Sequence, residues 1–136
     1  MARTVLIVDD EALTRRAMGA SLVRAGFEVV IARDGEEGLR LALEKKPDVV
    51  ILDMLLPKKD GLTLCRTLKA EPSFAAAKIF IVSGVYRKAT VAGDALEAGC
   101  DDFLSKPVDM ALLIDKVREA SQKPAFPPRP GASKGR

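Results

Sequence analysis

With 136 residues, the chain has the length of one domain, enough to bury about two-thirds of its unfolded surface without a disulfide or structural metal. It contains no histidine, which excludes Ser-His-Asp and Cys-His catalysis, His-ligated zinc and service as a phosphohistidine carrier. The net charge of +3 invites a nucleic-acid reading, but Lys123, Arg129, Lys134 and Arg136 lie in an acid-free C-terminal stretch; setting those four aside leaves 18 basic against 19 acidic residues, and no evident phosphate-backbone footprint on the body.

In chain order, TVLIV (4–8) predicts a first strand that ends in Asp9-Asp10. Met18, Ser21, Leu22 and Ala25 share one face of a helix starting near Glu11, with Gly26 placed to cap its end. Taken alone, Asp10 reads as the cap at the start of that helix. EVVIA (28–32) predicts the second strand; Asp34 and Glu37 then open a second helix at capping-box spacing, with Pro47 after it. DVVILD (48–53) is the third strand and carries Asp53 at its end, and Leu64, Cys65 and Leu68 line a third helix. KIFIVS (78–83) is the fourth strand, ending in Ser83-Gly84. Val91, Ala95 and Ala98 line a fourth helix closed by Gly99, and DDFLS (101–105) is a fifth strand followed by Lys106-Pro107. Asp109 can cap a fifth helix with Leu113 and Val117 facing inward. From Lys123 the periodicity stops. The reading is therefore a domain over 1–122 and a flexible Pro/Gly/basic tail or linker over 123–136.

The middle strands are apolar throughout rather than alternating, as expected of a parallel sheet covered on both faces. Five β-then-α units with right-handed crossovers predict a doubly wound α/β sandwich. Neither G-x-x-x-x-G-K-[ST] nor G-x-G-x-x-G occurs, so a P-loop nucleoside triphosphatase and a Rossmann dehydrogenase lose their main support. Cys65 and Cys100 lack ligand spacing and read as two buried or half-buried thiols of a reducing compartment. Apolar runs too short to span a bilayer, and residues 1–8 without a signal-peptide core, point to a cytoplasmic protein that binds neither membrane nor DNA directly.

In an open parallel sheet, ligands bind beyond the carboxyl ends of the strands. That edge would gather Asp9, Asp10, Asp53, Ser83 and Lys106. Two carboxylates about 5 Å apart repel by roughly 3 kcal/mol at an effective dielectric of about 20. Lys106 alone does not offset three of them. An all-oxygen set suits Mg2+, with Mn2+ able to substitute. Such an ion also prepares a site for a phosphoryl group, with Lys106 and the Ser83 hydroxyl each placed for one oxygen and Asp53 as nucleophile.

IVDDE, VVILDMLLP, IVSG and FLSKP, in this order and at these separations, resemble the receiver domain of bacterial two-component response regulators, the CheY-like family. The resemblance covers about residues 3–120. It implies the flavodoxin-like (βα)5 fold with strand order 2-1-3-4-5, for which CheY is a standard example. It implies that Asp53 accepts a phosphoryl group from a sensor histidine kinase or a histidine phosphotransfer protein. Asp10 matches the direct metal ligand, Asp9 the acid that reaches the ion through water, and Leu55 the backbone-carbonyl ligand. Ser83 and Phe103 match the switch hydroxyl and switch aromatic, and Lys106 the phosphate-binding lysine ahead of a cis Pro107. Gly84 is small enough to admit a phosphodonor. Phosphorylation would draw Ser83 toward the new oxygens and let Phe103 rotate inward, remodelling the face of the fourth helix, fifth strand and fifth helix.

Phe103 stands where tyrosine is commoner in the family, so an output contact made through that hydroxyl is not expected here. Leu55 and Val85 are apolar where relatives position hydrolytic water, so the expectation is slow self-dephosphorylation and no turnover of external substrates. Two other readings stand beside this one. A binding module that keeps the fold without phosphorylation leaves the repelling acids unexplained. A haloacid-dehalogenase-type hydrolase wants a second Asp where Leu55 stands. The oligomeric expectation is a monomer or weak homodimer acting on a downstream protein that the sequence does not name.

Overall fold

The computed structural model describes residues 3–54, 61–74, 76–84 and 99–121. Five strands, β1 (Thr4–Val8), β2 (Glu28–Ala32), β3 (Val49–Asp53), β4 (Lys78–Ser83) and β5 (Asp102–Ser105), form one sheet. All four pairings are parallel and the order is β2-β1-β3-β4-β5. Among the described residues the helices are α1 (Ala12–Arg24), α2 (Gly35–Lys45), α3 (Gly61–Lys69) and α4 (Met110–Ser121), with a short 3-10 turn at Pro72–Phe74. The order is that of the flavodoxin-like fold, as the family resemblance implies. The fourth predicted helix (Val91, Ala95, Ala98), Leu55, Val85 and the tail from 123 lie outside the described residues.

The apolar runs explain why the sheet is doubly covered. Alternate side chains of a strand point to opposite faces, so an unbroken apolar run needs a core on each side. One core joins Leu6, Val8, Val50, Leu52, Ile79 and Ile81 to Leu64, Cys65 and Leu68 of α3 and Ala42 of α2. The other joins Val5, Ile7, Val49, Ile51 and Val82 to Met18 and Leu22 of α1 and Leu113 and Val117 of α4. Each fully buried aliphatic side chain is worth roughly 2 kcal/mol of transfer free energy.

The local signals act as read, with small displacements. Gly26 follows α1 at φ +100°, a left-handed conformation that suits glycine. Asp34 accepts from the Glu37 N–H (2.9 Å), but Glu37 reaches back to the Arg33 N–H (2.8 Å), one residue before the cap. Asp109 accepts from the Leu112 N–H at the start of α4. The expected cap at Asp10 is displaced. Glu11 occupies the cap position of α1 without a side-chain cap bond, and Asp9 accepts the Glu11 N–H (2.8 Å).

Cys65 and Cys100 are both buried in the α2–α3 core. Burial pushes the Cys65 thiol up to about 12 and the Cys100 thiol up to about 11. The reactive thiolate is therefore scarce at neutral pH. A thiol-specific reagent at pH 7.5 is expected to label neither cysteine in the native protein and both after denaturation. Rapid labelling of native protein would show that this core opens readily.

Candidate functional site

The parallel register brings the strand ends level. Val8 pairs with Leu52, Asp53 with Val82, and Ser83 with Ser105, so Asp9, Asp53, Ser83 and Lys106 leave their strands at one edge. Backbone bonds hold that edge. The Met54 N–H donates to the Val82 carbonyl and the Lys106 N–H to the Ser83 carbonyl, each at 2.9 Å. Arg15 of α1 donates from Nη1 to the Asp9 carbonyl (2.8 Å).

Asp9 and Asp53 are buried and Asp10 is exposed, yet carboxylate oxygens of all three lie within 4.8 Å of one another. At that separation the buried pair repels by roughly 3 kcal/mol. Lys106 is the answering charge. Its ammonium donates to Asp53 Oδ2 (3.2 Å) and Glu11 Oε1 (3.3 Å) and lies 3.2 Å from Asp9 Oδ2. Burial would lower the Lys106 pKa, but Asp53 and then Asp9 outweigh it and leave it raised. Even so, one ammonium faces three carboxylates, with that of Asp10 close to two of them. Asp9 Oδ2 is sealed from solvent at ion-pair distance from Lys106 without a hydrogen bond of its own.

That buried oxygen tests the fit of a metal ion. A solvent-sealed carboxylate oxygen with an unused lone pair, between two further acids, suits a hard divalent cation that retains waters. Asp9, Asp10 and Asp53 are the residues that would hold it.

The other expected residues fall at the same edge or beside it. Ser83 is buried at the end of β4. Phe103 of β5 is half-buried and packs against the α2–α3 core. The Lys106–Pro107 peptide is cis. Gly84 is exposed, and a Cβ there would stand 3.3 Å from Lys106 Cβ and 3.5 Å from its Cδ. Its smallness thus makes room for the lysine stem, in addition to the open approach that the sequence suggests.

Two neighbours were not foreseen. Glu11 accepts from the Thr14 hydroxyl (2.6 Å) and from Lys106, and these two bonds hold its carboxyl below the usual value. Its place directly after Asp9-Asp10 is the only sequence signal for it. Gly61, the first residue of α3, lies against the backbone at the end of β3: a Cβ would stand 2.4 Å from the Asp53 carbonyl oxygen and 2.9 Å from Met54 Cα. Nothing in the local pattern announces that contact, because it joins a helix start to a strand end across a connection.

The family model described as the response regulator receiver domain matches residues 5–118. The chain is 34% identical over 125 residues to the response regulator PleD of Caulobacter vibrioides, covering 90% of this chain and 27% of that protein. It is 37% identical over 124 residues to a cyclic di-GMP phosphodiesterase of Thermotoga maritima, covering 90% and 32%. The chain spans about half or less of the length of the curated relatives it matches. Among solved structures, a response regulator receiver domain protein from Clostridium thermocellum superposes with a TM-score of 0.79 at 30% identity, covering 88% of this chain and 94% of that one. The BeF3-activated N-terminal receiver domain of Klebsiella pneumoniae RstA superposes with a TM-score of 0.81 at 27% identity, covering 88% and 99%. Among the described residues no helix is long and apolar enough to cross a membrane.

Proposed function

The chain belongs to the response regulator receiver domain family of two-component signalling, and from that premise we propose that it is a phosphorylation-controlled switch with Asp53 as acceptor. Receiver domains are signalling domains rather than turnover enzymes, and the family binds Mg2+ at an acidic pocket. The observation that carries the proposal is the three-carboxylate cluster around Asp53 with Lys106 bonded into it. A scaffold without phosphoryl chemistry would gain nothing from burying Asp9 beside Asp53.

In this reading an Asp53 carboxylate oxygen attacks the phosphorus of a phosphohistidine. The P–N bond breaks, its electron pair leaves with the imidazole, and an acyl phosphate forms. Lys106 follows one phosphoryl oxygen from its present place on Asp53 Oδ2, 3.2 Å away. Ser83 meets a second, and Phe103 moves into the space that the hydroxyl leaves. A divalent cation on Asp9, Asp10 and Asp53 supplies neutralisation of the remaining oxygens when bound. Leu55 would add its carbonyl to that set. Phosphoryl supply comes from a sensor histidine kinase or a histidine phosphotransfer protein. Output passes to a partner protein through the face of the Val91–Ala98 stretch, β5 and α4. The receiver body is assigned to 1–122 and the tail to 123–136.

The test is incubation with acetyl phosphate and Mg2+, read by intact mass. Gain of one phosphoryl group, dependent on the metal and localised to Asp53, is the expected result. No gain points to a phosphorylation-independent binding module, and multiple turnover of added phosphomonoesters points to a hydrolase. Lys106→Ala tests the switch separately. It removes the cation that offsets Asp53 and Asp9, so the amide shifts that phosphorylation or beryllofluoride causes in wild-type β5 and α4 are expected to shrink by more than half. Wild-type-sized shifts in that variant would remove Lys106 from the switch.

A further inference from the structure

Glu11 is a charge the acceptor chemistry does not use. It lies outside the group of acids placed to hold a metal ion, it is mostly exposed, and its position is nevertheless defined, with Thr14 and Lys106 both donating to Oε1. It stands on the rim of an open groove of about 590 Å3 whose lining also includes Leu13, Gly84, Lys106 and Met110. Among the described residues that line the groove, Glu11 is the only acid and Lys106 the only cation, and the two are in contact. This groove reaches Lys106, whose ammonium is bonded to Asp53. A phosphodonor that approaches Lys106 along this groove comes close to the Glu11 carboxylate, 3.3 Å from the Lys106 ammonium, and so does the group that leaves.

We propose that Glu11 sets the charge preference of the acceptor site among phosphoryl donors, penalising those that arrive as dianions and release an anion. This rests on the phosphoacceptor reading above. With acetyl phosphate, Asp53 attacks phosphorus, the P–O bond to the acetyl group breaks, and acetate carries away the electron pair and a full negative charge. With phosphoramidate, which enters as a monoanion already protonated on nitrogen, the P–N bond breaks and neutral ammonia leaves. The aspartyl phosphate formed is the same. Only the charge that passes Glu11 differs. A fixed charge a few ångströms from the path in a solvated mouth, weakened by salt, corresponds to an effect of about fivefold.

Glu11→Gln is the test, since it removes the charge and keeps an oxygen that can accept from Thr14. The ratio of labelling rates with acetyl phosphate over phosphoramidate, at neutral pH with Mg2+ and low salt, is expected to rise about fivefold over wild type and to approach the wild-type ratio in high salt. A ratio equal to wild type at low salt overturns the proposal. A variant that is merely less stable would slow both donors alike and leave the ratio in place, which also counts against it. Binding gives an independent readout. Sulfate, a dianion that transfers nothing, is expected to bind the Mg2+-supplied variant about fivefold more tightly than wild type by amide titration, and equal affinity overturns the proposal. If wild type labels with neither donor, the phosphoacceptor reading fails, while the sulfate titration still decides whether Glu11 repels dianions.

Discussion

Replacement of Asp53 by Asn is expected to abolish phosphoryl labelling, lowering the rate at least about a hundredfold to background. The change is nearly isosteric, and the amide oxygen can still accept from Lys106 where the carboxylate does now, at 3.2 Å. The fold should therefore persist. It should even shed part of the repulsion between two buried acids whose oxygens lie within 4.8 Å. What is lost is the nucleophile, since an amide oxygen does not form a stable acyl phosphate. The same substitution removes one of three carboxylates placed for a divalent cation, so calorimetric Mn2+ affinity should fall roughly tenfold or more. Retained labelling at the wild-type rate would move the acceptor to another residue, with Asp10 the first to test. Retained Mn2+ affinity would show that the ion, if it binds, does not use Asp53.

Gly61→Ala should be among the most damaging single changes in the chain, although position 61 carries no charge and touches no substrate. Its Cβ would stand 2.4 Å from the Asp53 carbonyl oxygen and 3.1 Å from the Asp53 carbonyl carbon, both backbone atoms. A flexible side chain could rotate away from such a clash, whereas backbone must be displaced. The Gly61 N–H also donates to the Met54 carbonyl (3.0 Å), so the two segments are tied where the methyl would push them apart. Overpacking of this kind costs about 3 kcal/mol, and the movement falls on Asp53, the proposed phosphoacceptor. Chemical denaturation should show that loss, and acetyl phosphate labelling should slow at least about tenfold in the fraction that remains folded. Wild-type stability with wild-type labelling would mean that α3 can shift without dragging β3, and that Gly61 has no positioning role.

These two outcomes also separate the readings that a receiver-like fold leaves open. A phosphorylation-independent scaffold predicts that Asp53→Asn changes nothing beyond a modest gain in stability. A switch predicts loss of the label with the fold intact. The relatives carry further length that this chain does not span.

Much of this protein was legible in its residues alone, for a simple reason. Apolar runs such as VVILD need both faces covered, a parallel sheet provides that, and its strand ends collect whatever polar residues terminate the runs. Asp9, Asp53, Ser83 and Lys106 could be assembled on paper because each directly follows or closes a strand, and strand register does the rest. The strand order came from family resemblance, since alternation of elements does not choose among doubly wound orders.

Tertiary structure alone decided which contacts that edge contains. Asp9 rather than Asp10 takes the Glu11 N–H, because Asp9 is the residue that β1 turns inward. Glu11 shares Lys106 with Asp9 and Asp53, Gly84 makes room for the lysine stem, and Gly61 lies against the Asp53 carbonyl. Sequence periodicity specifies the face a residue occupies within its own element. Contacts between elements depend on how closely helix starts approach strand ends, and that distance is set by the packing of the whole core.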